Sequence, residues 1–291
     1  MRNLFFITLF IFSTSLSAKE LKLRWFGTTF FILESENEAI LFDPFITRPG
    51  ISSLLLFDEL KPNIEEYKKW VPDSLQKKIQ AVFISHSHYD HILDLESAMK
   101  ENEAVVYGDE STKIVAKKIG IEDHRIGKAI LNKPISVGHF KVTPLSGKHP
   151  SHLLGMTLAD GKIKDFKYPS SAYGYKMGEV FTFLIEFGDY KIFFAASGVP
   201  VWKKSYNKVD VLIQGIANGK HYEELIKDQV LPSKAKMLIP AHYDNFFTNL
   251  KNPPEELITS DLKEFFTLLK KAHGPATLMP KYGDEIILLK N

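Results

Sequence analysis

The sequence predicts an α/β protein, in which short apolar strands alternate with helices and polar chemistry collects where strands end. Two observations carry this. From Ala81 to Gly120 the pattern runs strand, helix, strand, helix: apolar Ala81–Ile84, helical Leu93–Asn102, apolar Ala104–Tyr107, and helical Ser111–Ile119 closed by Gly120. Histidines also follow the ends of apolar runs at three well-separated places, 86–91, 149 and 242. The ends of several strands are where folds of this class gather their chemistry.

The N-terminus stands apart. Arg2 is positive, Leu4–Phe12 is apolar but for Thr8, and Ser13–Ala18 is small and polar apart from Leu16. This is the pattern of a secretory signal, cut after Ser17 or Ala18. Its apolar run is too short for an ordinary membrane span, and an uncleaved anchor is the alternative. Residues 1–18 are therefore expected to be a signal peptide, and 19–291 a single domain that is exported, periplasmic or secreted, with no stable membrane span after cleavage. The chain has no cysteine, so no disulfide forms, and a metal must be held by His, Asp or other oxygen ligands. A thiol-free chain suits an oxidising compartment. With 291 residues, 44% of them hydrophobic, there is material for one large core or two small ones. The net charge of +2 is too small to argue for nucleic acid or an anionic membrane as partner.

Leu21–Gly27 and Thr29–Glu34 read as strands joined at a Gly-Thr turn, and Ala39–Phe42 as a third. Pro44 fixes its own backbone and restricts the residue before it, so Asp43 closes that strand. Asp43 has two readings: it orients a metal-bound histidine through the second ring nitrogen, or it caps a turn. Ile51–Leu60 is apolar with few charges, and Asn63–Trp70 has helical spacing. Residues 46–78 thus either border a substrate entrance or form a packed insertion.

Ala81–Ile84 then leads through Ser85 into His86-Ser87-His88-Tyr89-Asp90-His91. Side chains alternate along extended chain, so His86 and His88 point the same way, while Asp90 and His91 come off a turn. Imidazole and carboxylate are the ligands a borderline ion such as zinc takes. A lone histidine after a strand is usually just a polar loop residue. Four ligand-type side chains packed this densely argue otherwise.

His139–Leu145 alternates as a strand and ends in Ser146-Gly147-Lys148-His149-Pro150-Ser151-His152. His149, at the strand exit, is the third ligand of a first ion. His152 is the alternative, or contacts substrate or solvent. Residues 153–178 read as loop-rich, with Tyr168, Tyr173 and Tyr175 as hydroxyl donors or packing aromatics. Val180–Phe187 and Tyr190–Ala195 form a hairpin at Gly188-Asp189. Val209–Ile213 is a buried strand, Tyr222–Lys227 a helix, and Lys236–Ile239 a strand that runs into Pro240-Ala241-His242-Tyr243-Asp244. A helical region is expected from Pro254, with Asp261–Lys271 as its long helix, then short strands at Thr277–Met279 and Glu285–Leu289. His124, His139, His221 and His273 lack a strand-end setting and are read as non-ligands.

The run His86-Ser87-His88-Tyr89-Asp90-His91, followed by His149 and His242, resembles the metallo-β-lactamase-fold hydrolases. The resemblance covers nearly all of the mature chain and is nearest the broad lactonase- and phosphodiesterase-like branch. It implies an αββα sandwich, two mixed β-sheets flanked by helices, with metal bound at one edge. It also implies that His86, His88 and His149 hold one ion and Asp90, His91 and His242 a second. The family commonly places an ion-bridging aspartate after the strand ending near 196; here Ser197 stands at that place, a weaker, neutral ligand.

The expected activity is metal-assisted hydrolysis of an ester, lactone or phosphodiester bond, using one or two zinc ions, or manganese or iron, to ionise water. Asp90 would hold the second ion and accept a proton from the attacking water, and His242 would complete that site. The substrate is expected to be a small or lipid-like molecule; the aromatic-rich segments 46–70 and 166–175 favour an amphipathic one. Ser197 motivates a second reading, a metal-binding or sensing module of the same fold with weakened or lost turnover. Nucleic-acid processing is disfavoured by the weak basic excess and the export signal.

Overall fold

The computed structural model describes residues 20–149, 159–195, 198–200, 202, 208–217 and 219–290. The expected signal segment, His152 and Ser197 lie outside the described residues. Among those described, the strands are β1 (Leu21–Trp25), β2 (Phe31–Ser35), β3 (Glu38–Phe42), β4 (Ile79–Phe83), β5 (Val105–Gly108), β6 (Ile126–Lys128), β7 (Ile135–Val137), β8 (Phe140–Lys148), β9 (Phe181–Phe187), β10 (Tyr190–Ala195), β11 (Val199–Pro200), β12 (Val211–Gly215), β13 (Met237–Ala241), β14 (Ala276–Thr277) and β15 (Ile286–Leu289).

They form two mixed sheets of like construction, in the orders β15-β1-β2-β3-β4-β5-β6 and β11-β8-β9-β10-β12-β13-β14, with β7 paired to β8. In the first sheet β15 to β3 pair antiparallel and β3 to β6 parallel. In the second, β11 to β10 pair antiparallel and β10 to β14 parallel. Parallel neighbours finish at the same sheet edge. The residues after β3 and β4, Asp43 and the 86–91 run, therefore leave the first sheet on one side.

The two sheets pack face to face with helices outside, the αββα sandwich of the metallo-β-lactamase fold. In β3, Ile40 and Phe42 enter the core between the sheets, while Ala39 and Leu41 enter the layer under the helices. Both faces are covered, which is why the strand is apolar throughout rather than alternating. Phe42 is the pivot of the inner layer: its ring centroid lies 5.3 Å from Phe83, 4.8 Å from Phe194 and 5.5 Å from Phe183. Such ring pairs add about 0.5–1.5 kcal/mol each beyond area burial. They lock β3 and β4 against β9 and β10 directly beneath the strand ends.

Several local expectations are corrected by tertiary contacts. The single helix read over Leu93–Asn102 is two short ones, Tyr89–Ile92 and Leu95–Ala98. The break falls at Asp94, whose buried carboxylate accepts hydrogen bonds from Ile46 N (2.6 Å), Thr47 N (2.7 Å) and Thr47 Oγ1 (2.7 Å). Asp90 and His91 accordingly sit in the first of these helices rather than on a turn. No helix starts at Pro254: residues 254–260 instead pair with the chain after His242, through Asn245 N to Glu255 O and Leu257 N to Tyr243 O, and the helix is Leu262–Lys271. The three-residue strands β6 and β7 are too short to leave a periodic signal. The helix at Ile64–Trp70 is present, with Asn63 capping Glu66 N as its side-chain chemistry favours. Among the described residues no helix is long and apolar enough to cross a membrane.

Candidate metal centre

β4 delivers the ligand loop to a place fixed from both sheets. Asp43, just past β3, accepts Ser85 N (2.6 Å) through Oδ1 and Ser85 Oγ (2.6 Å) through Oδ2. From the second sheet's side, Phe181 N donates to Ser85 O (2.8 Å) and Ser87 N to Met177 O (2.9 Å). The loop's backbone polar groups thus go to partners that hold its shape, as buried backbone requires. Asp109 contributes from beneath, capping the helix Glu110–Lys118 through Thr112 N (2.9 Å) and accepting from Ser87 Oγ (3.3 Å) and Glu179 N (2.8 Å).

Two trios form at this edge, His86 with His88 and His149, and Asp90 with His91 and His242; within each, one ligand atom per residue lies within 4.8 Å of the others. The residues anticipated as ligands, far apart in the chain, are therefore together in space. His124, His139 and His221 are elsewhere, next to Glu122, Glu38 and Glu224. Tyr175 is buried against Phe166 and Tyr168 bonds Glu96 (2.5 Å), so both act as packing or structural groups, while Tyr173 is exposed.

The donor set fits a cation. His86 Nε2 and His88 Nδ1 face each other at 2.9 Å, two imidazole nitrogens aimed at one spot. Burial, then the imidazoles of His91, His88 and His149, hold His86 well below the usual histidine range, leaving it neutral. In the second trio, His91 Nε2 (3.4 Å) and His242 Nε2 (3.3 Å) both approach Asp90 Oδ2. Burial works against the charge of Asp90, yet His91 and His242 keep its carboxyl well below the usual range. Burial likewise opposes charge on His91, but Asp90 and Asp43 push it up to about 9. A proton held so tightly between two carboxylates marks a place that wants positive charge.

On its other face, His91 Nδ1 lies 3.0 Å from Asp43 Oδ2, the contact that a carboxylate orienting an imidazole through its second nitrogen would make. Asp43 sits at φ 48° and His242 at φ 56°, left-handed conformations that a non-glycine residue adopts only when its surroundings impose them. His242 is held by its N–H to Thr28 O (2.9 Å). Two residues later Asp244, fully buried, accepts from Thr28 N (2.7 Å), Tyr282 OH (3.0 Å) and Arg48 Nη2 (3.0 Å). Gly27 is required beside this ion pair, since its φ is 92° and a Cβ there would collide with the Arg48 guanidinium. Sequence reading passed over Thr29, Ser85, Asp94, Asp109, Arg48 and Asp244. Only Ser85 and Asp244 carried a signal, by standing next to a ligand or two residues from one.

The chain shares the metallo-β-lactamase fold, and it is similar to metal-dependent hydrolases of that superfamily. Residues 23–132 match the family model described as the metallo-beta-lactamase superfamily. A UPF0173 metal-dependent hydrolase of Salinibacter ruber is 24% identical over 238 residues, covering 77% of this chain and 85% of that protein. Among solved structures, the metallo hydrolase Igni18 from Ignicoccus hospitalis superposes with a TM-score of 0.61 at 18% identity, over 92% of this chain and 97% of that one. CmlA, a diiron β-hydroxylase from Streptomyces venezuelae, shares the fold with a TM-score of 0.52 at 14% identity, over 92% of this chain and 54% of its own.

Proposed function

We propose that this protein hydrolyses an ester, lactone or phosphodiester bond in an amphipathic substrate, with zinc at the two trios. The observation that carries the reading is the pairing of a three-histidine set with a carboxylate-containing set at one sheet edge. His86, His88 and His149 would hold one ion, and Asp90, His91 and His242 a second. Bound there, a divalent ion supplies Lewis acidity and acidifies water near neutral pH. Three imidazoles and no thiolate suit zinc, with manganese or iron as the other candidates.

The chain's own groups divide the rest of the work. Asp90, ionised and shared between two imidazoles, is the group placed to take a proton from the attacking water. Asp43 fixes the orientation of His91. Phe246, whose ring centroid lies 5.3 Å from His242, gives that side of the site an apolar wall.

The amphipathic substrate is supported by the segment after Arg48. Ile51, Leu55, Leu56 and Phe57 are 58%, 68%, 72% and 62% exposed, and Phe57 stacks on exposed Tyr173 at 4.9 Å. Clustered exposed apolar side chains of this kind mark binding surfaces. Arg48, three residues before Ile51, is tied to Asp244, two residues beyond His242, so the segment starts from an anchor beside the ligand loops. The N-terminal Arg2 and apolar Leu4–Phe12 support export to the periplasm or beyond, and 19–291 as the mature domain.

Ser197, at the usual place of a bridging aspartate, favours one other reading: a metal-binding or sensing module with little turnover. Metal content per chain, together with turnover of ester, lactone and bis-phosphodiester probes by zinc-loaded protein, separates the two. Turnover abolished by His88→Ala and Asp90→Ala supports the hydrolase. Tight metal binding without turnover on the whole panel supports the module.

A further inference from the structure

The turn between β1 and β2, Gly27-Thr28-Thr29, lies more than fifty residues from the nearest ligand in the chain, yet it touches both histidines of the second trio. We propose that Thr29 is a positioning residue for that trio, its hydroxyl setting which nitrogen His91 offers to a metal, while the neighbouring Thr28 backbone seats His242. The inference rests on the metal-site reading above.

The hydrogen-bond arithmetic around Thr29 is closed. Its side chain is fully buried, and its hydroxyl donates to Asp43 Oδ2 at 2.9 Å. A hydroxyl has one proton, so the 2.7 Å contact between Thr29 Oγ1 and His91 Nδ1 needs the proton to come from the imidazole. The other close partner of Nδ1, Asp43 Oδ2 at 3.0 Å, is a carboxylate oxygen and also only accepts. Both neighbours therefore demand a proton on Nδ1. That leaves Nε2, the atom facing Asp90 Oδ2, as the nitrogen whose lone pair is available once His91 is neutral. Asp43 alone would impose the same tautomer, but Asp43 Oδ2 is shared with Ser85 Oγ at 2.6 Å. Thr29 supplies the second, undivided acceptor and fixes the ring from another direction.

One residue earlier, Thr28 seats the remaining imidazole. Its carbonyl accepts His242 N and its own N–H is held by Asp244 Oδ1. Thr28 adopts φ 46°, an outlier for a β-branched residue, and His242 adopts φ 56°. Such conformations persist where surrounding contacts over-determine them and cluster at functional sites. The turn therefore couples the two histidines of the second trio.

The test compares Thr29→Val, which keeps the shape and removes the hydroxyl, with Thr29→Ser, which keeps the hydroxyl. Zinc stoichiometry and stepwise affinity are read by chelator competition, and cobalt-substituted protein reports the ligand field of each site. The expected result is that Thr29→Val loses about 10- to 100-fold in affinity for one of two ions. The other ion is bound as in wild type, the metal-free protein still folds but with a lowered melting temperature, and Thr29→Ser restores the lost affinity. Equal weakening of both ions, or wild-type binding in Thr29→Val, overturns the assignment while leaving the metal reading intact. Wild-type protein that binds no divalent ion sinks the metal reading itself, and this inference with it. If Thr29→Val does not fold, Thr29→Ala set against Thr29→Ser makes the same comparison.

Discussion

Asp43 and His91 meet at 3.0 Å, Oδ2 to Nδ1, both almost wholly buried beneath the ligand loops. The contact ties the end of β3 to the helix after β4, and the same carboxylate holds Ser85. Asp43→Asn replaces a pure acceptor with an amide and leaves one of those donors opposed by another donor. The variant is expected to bind the ion at Asp90, His91 and His242 about 10- to 100-fold more weakly, measured by chelator competition. Unchanged affinity would mean that the carboxylate only caps its turn.

His91 also predicts a pH dependence. Its pKa is pushed up to about 9 in the metal-free fold, from an ordinary value of 6.5. A raised folded pKa means that the native state holds the proton more tightly than the unfolded chain. The stability it contributes is complete below the unfolded value and is lost as pH rises through the folded one. The difference is on the order of 3 kcal/mol. Melting temperatures of chelator-treated protein should therefore fall from about pH 6.5 to 9.5. Zinc must displace the same proton, so calorimetry in buffers of different ionisation enthalpy should show proton release across that window. Zinc uptake with no proton release would contradict this picture of the second trio.

Leu55, Leu56 and Phe57 are exposed and carry little of the fold. Replacing all three by serine should change folding stability by less than about 1 kcal/mol. Metal content and turnover of a short-chain ester should be unchanged. KM for a long-chain ester is expected to rise about tenfold or more, since a tenfold change needs only about 1.4 kcal/mol, less than two buried methylenes supply. A parallel change for short and long chains would remove the argument for an amphipathic substrate.

Arg48 and Asp244 form an ion pair with side chains 1% and 0% exposed. Removing one partner leaves the other charge buried alone, so Arg48→Met should cost about 3–5 kcal/mol in urea denaturation. Arg48→Met combined with Asp244→Leu should recover only part of this, because Thr28 N and the Tyr282 hydroxyl would still lack their acceptor. A double variant as stable as wild type would show that the network is dispensable.

The sequence by itself determined the ingredients. Short apolar runs marked the strands, and dense ligand-type residues marked the 86–91 loop, because strand periodicity and ligand chemistry are local properties. It also marked His149 and His242 as strand-end histidines, and Asp43 as a carboxylate with two possible roles. Tertiary structure decided what those residues do together. Which strands pair, and how Phe42 and Phe83 pack on Phe183 and Phe194, sets whether three strand ends meet, and no spacing along the chain encodes that. The break at Asp94, the unwound chain after Pro254 and the part played by Thr29 were hidden for the same reason. Each depends on hydrogen bonds to residues between 10 and 62 positions away, and these outweigh the fraction of a kcal/mol per residue that local helical preference provides.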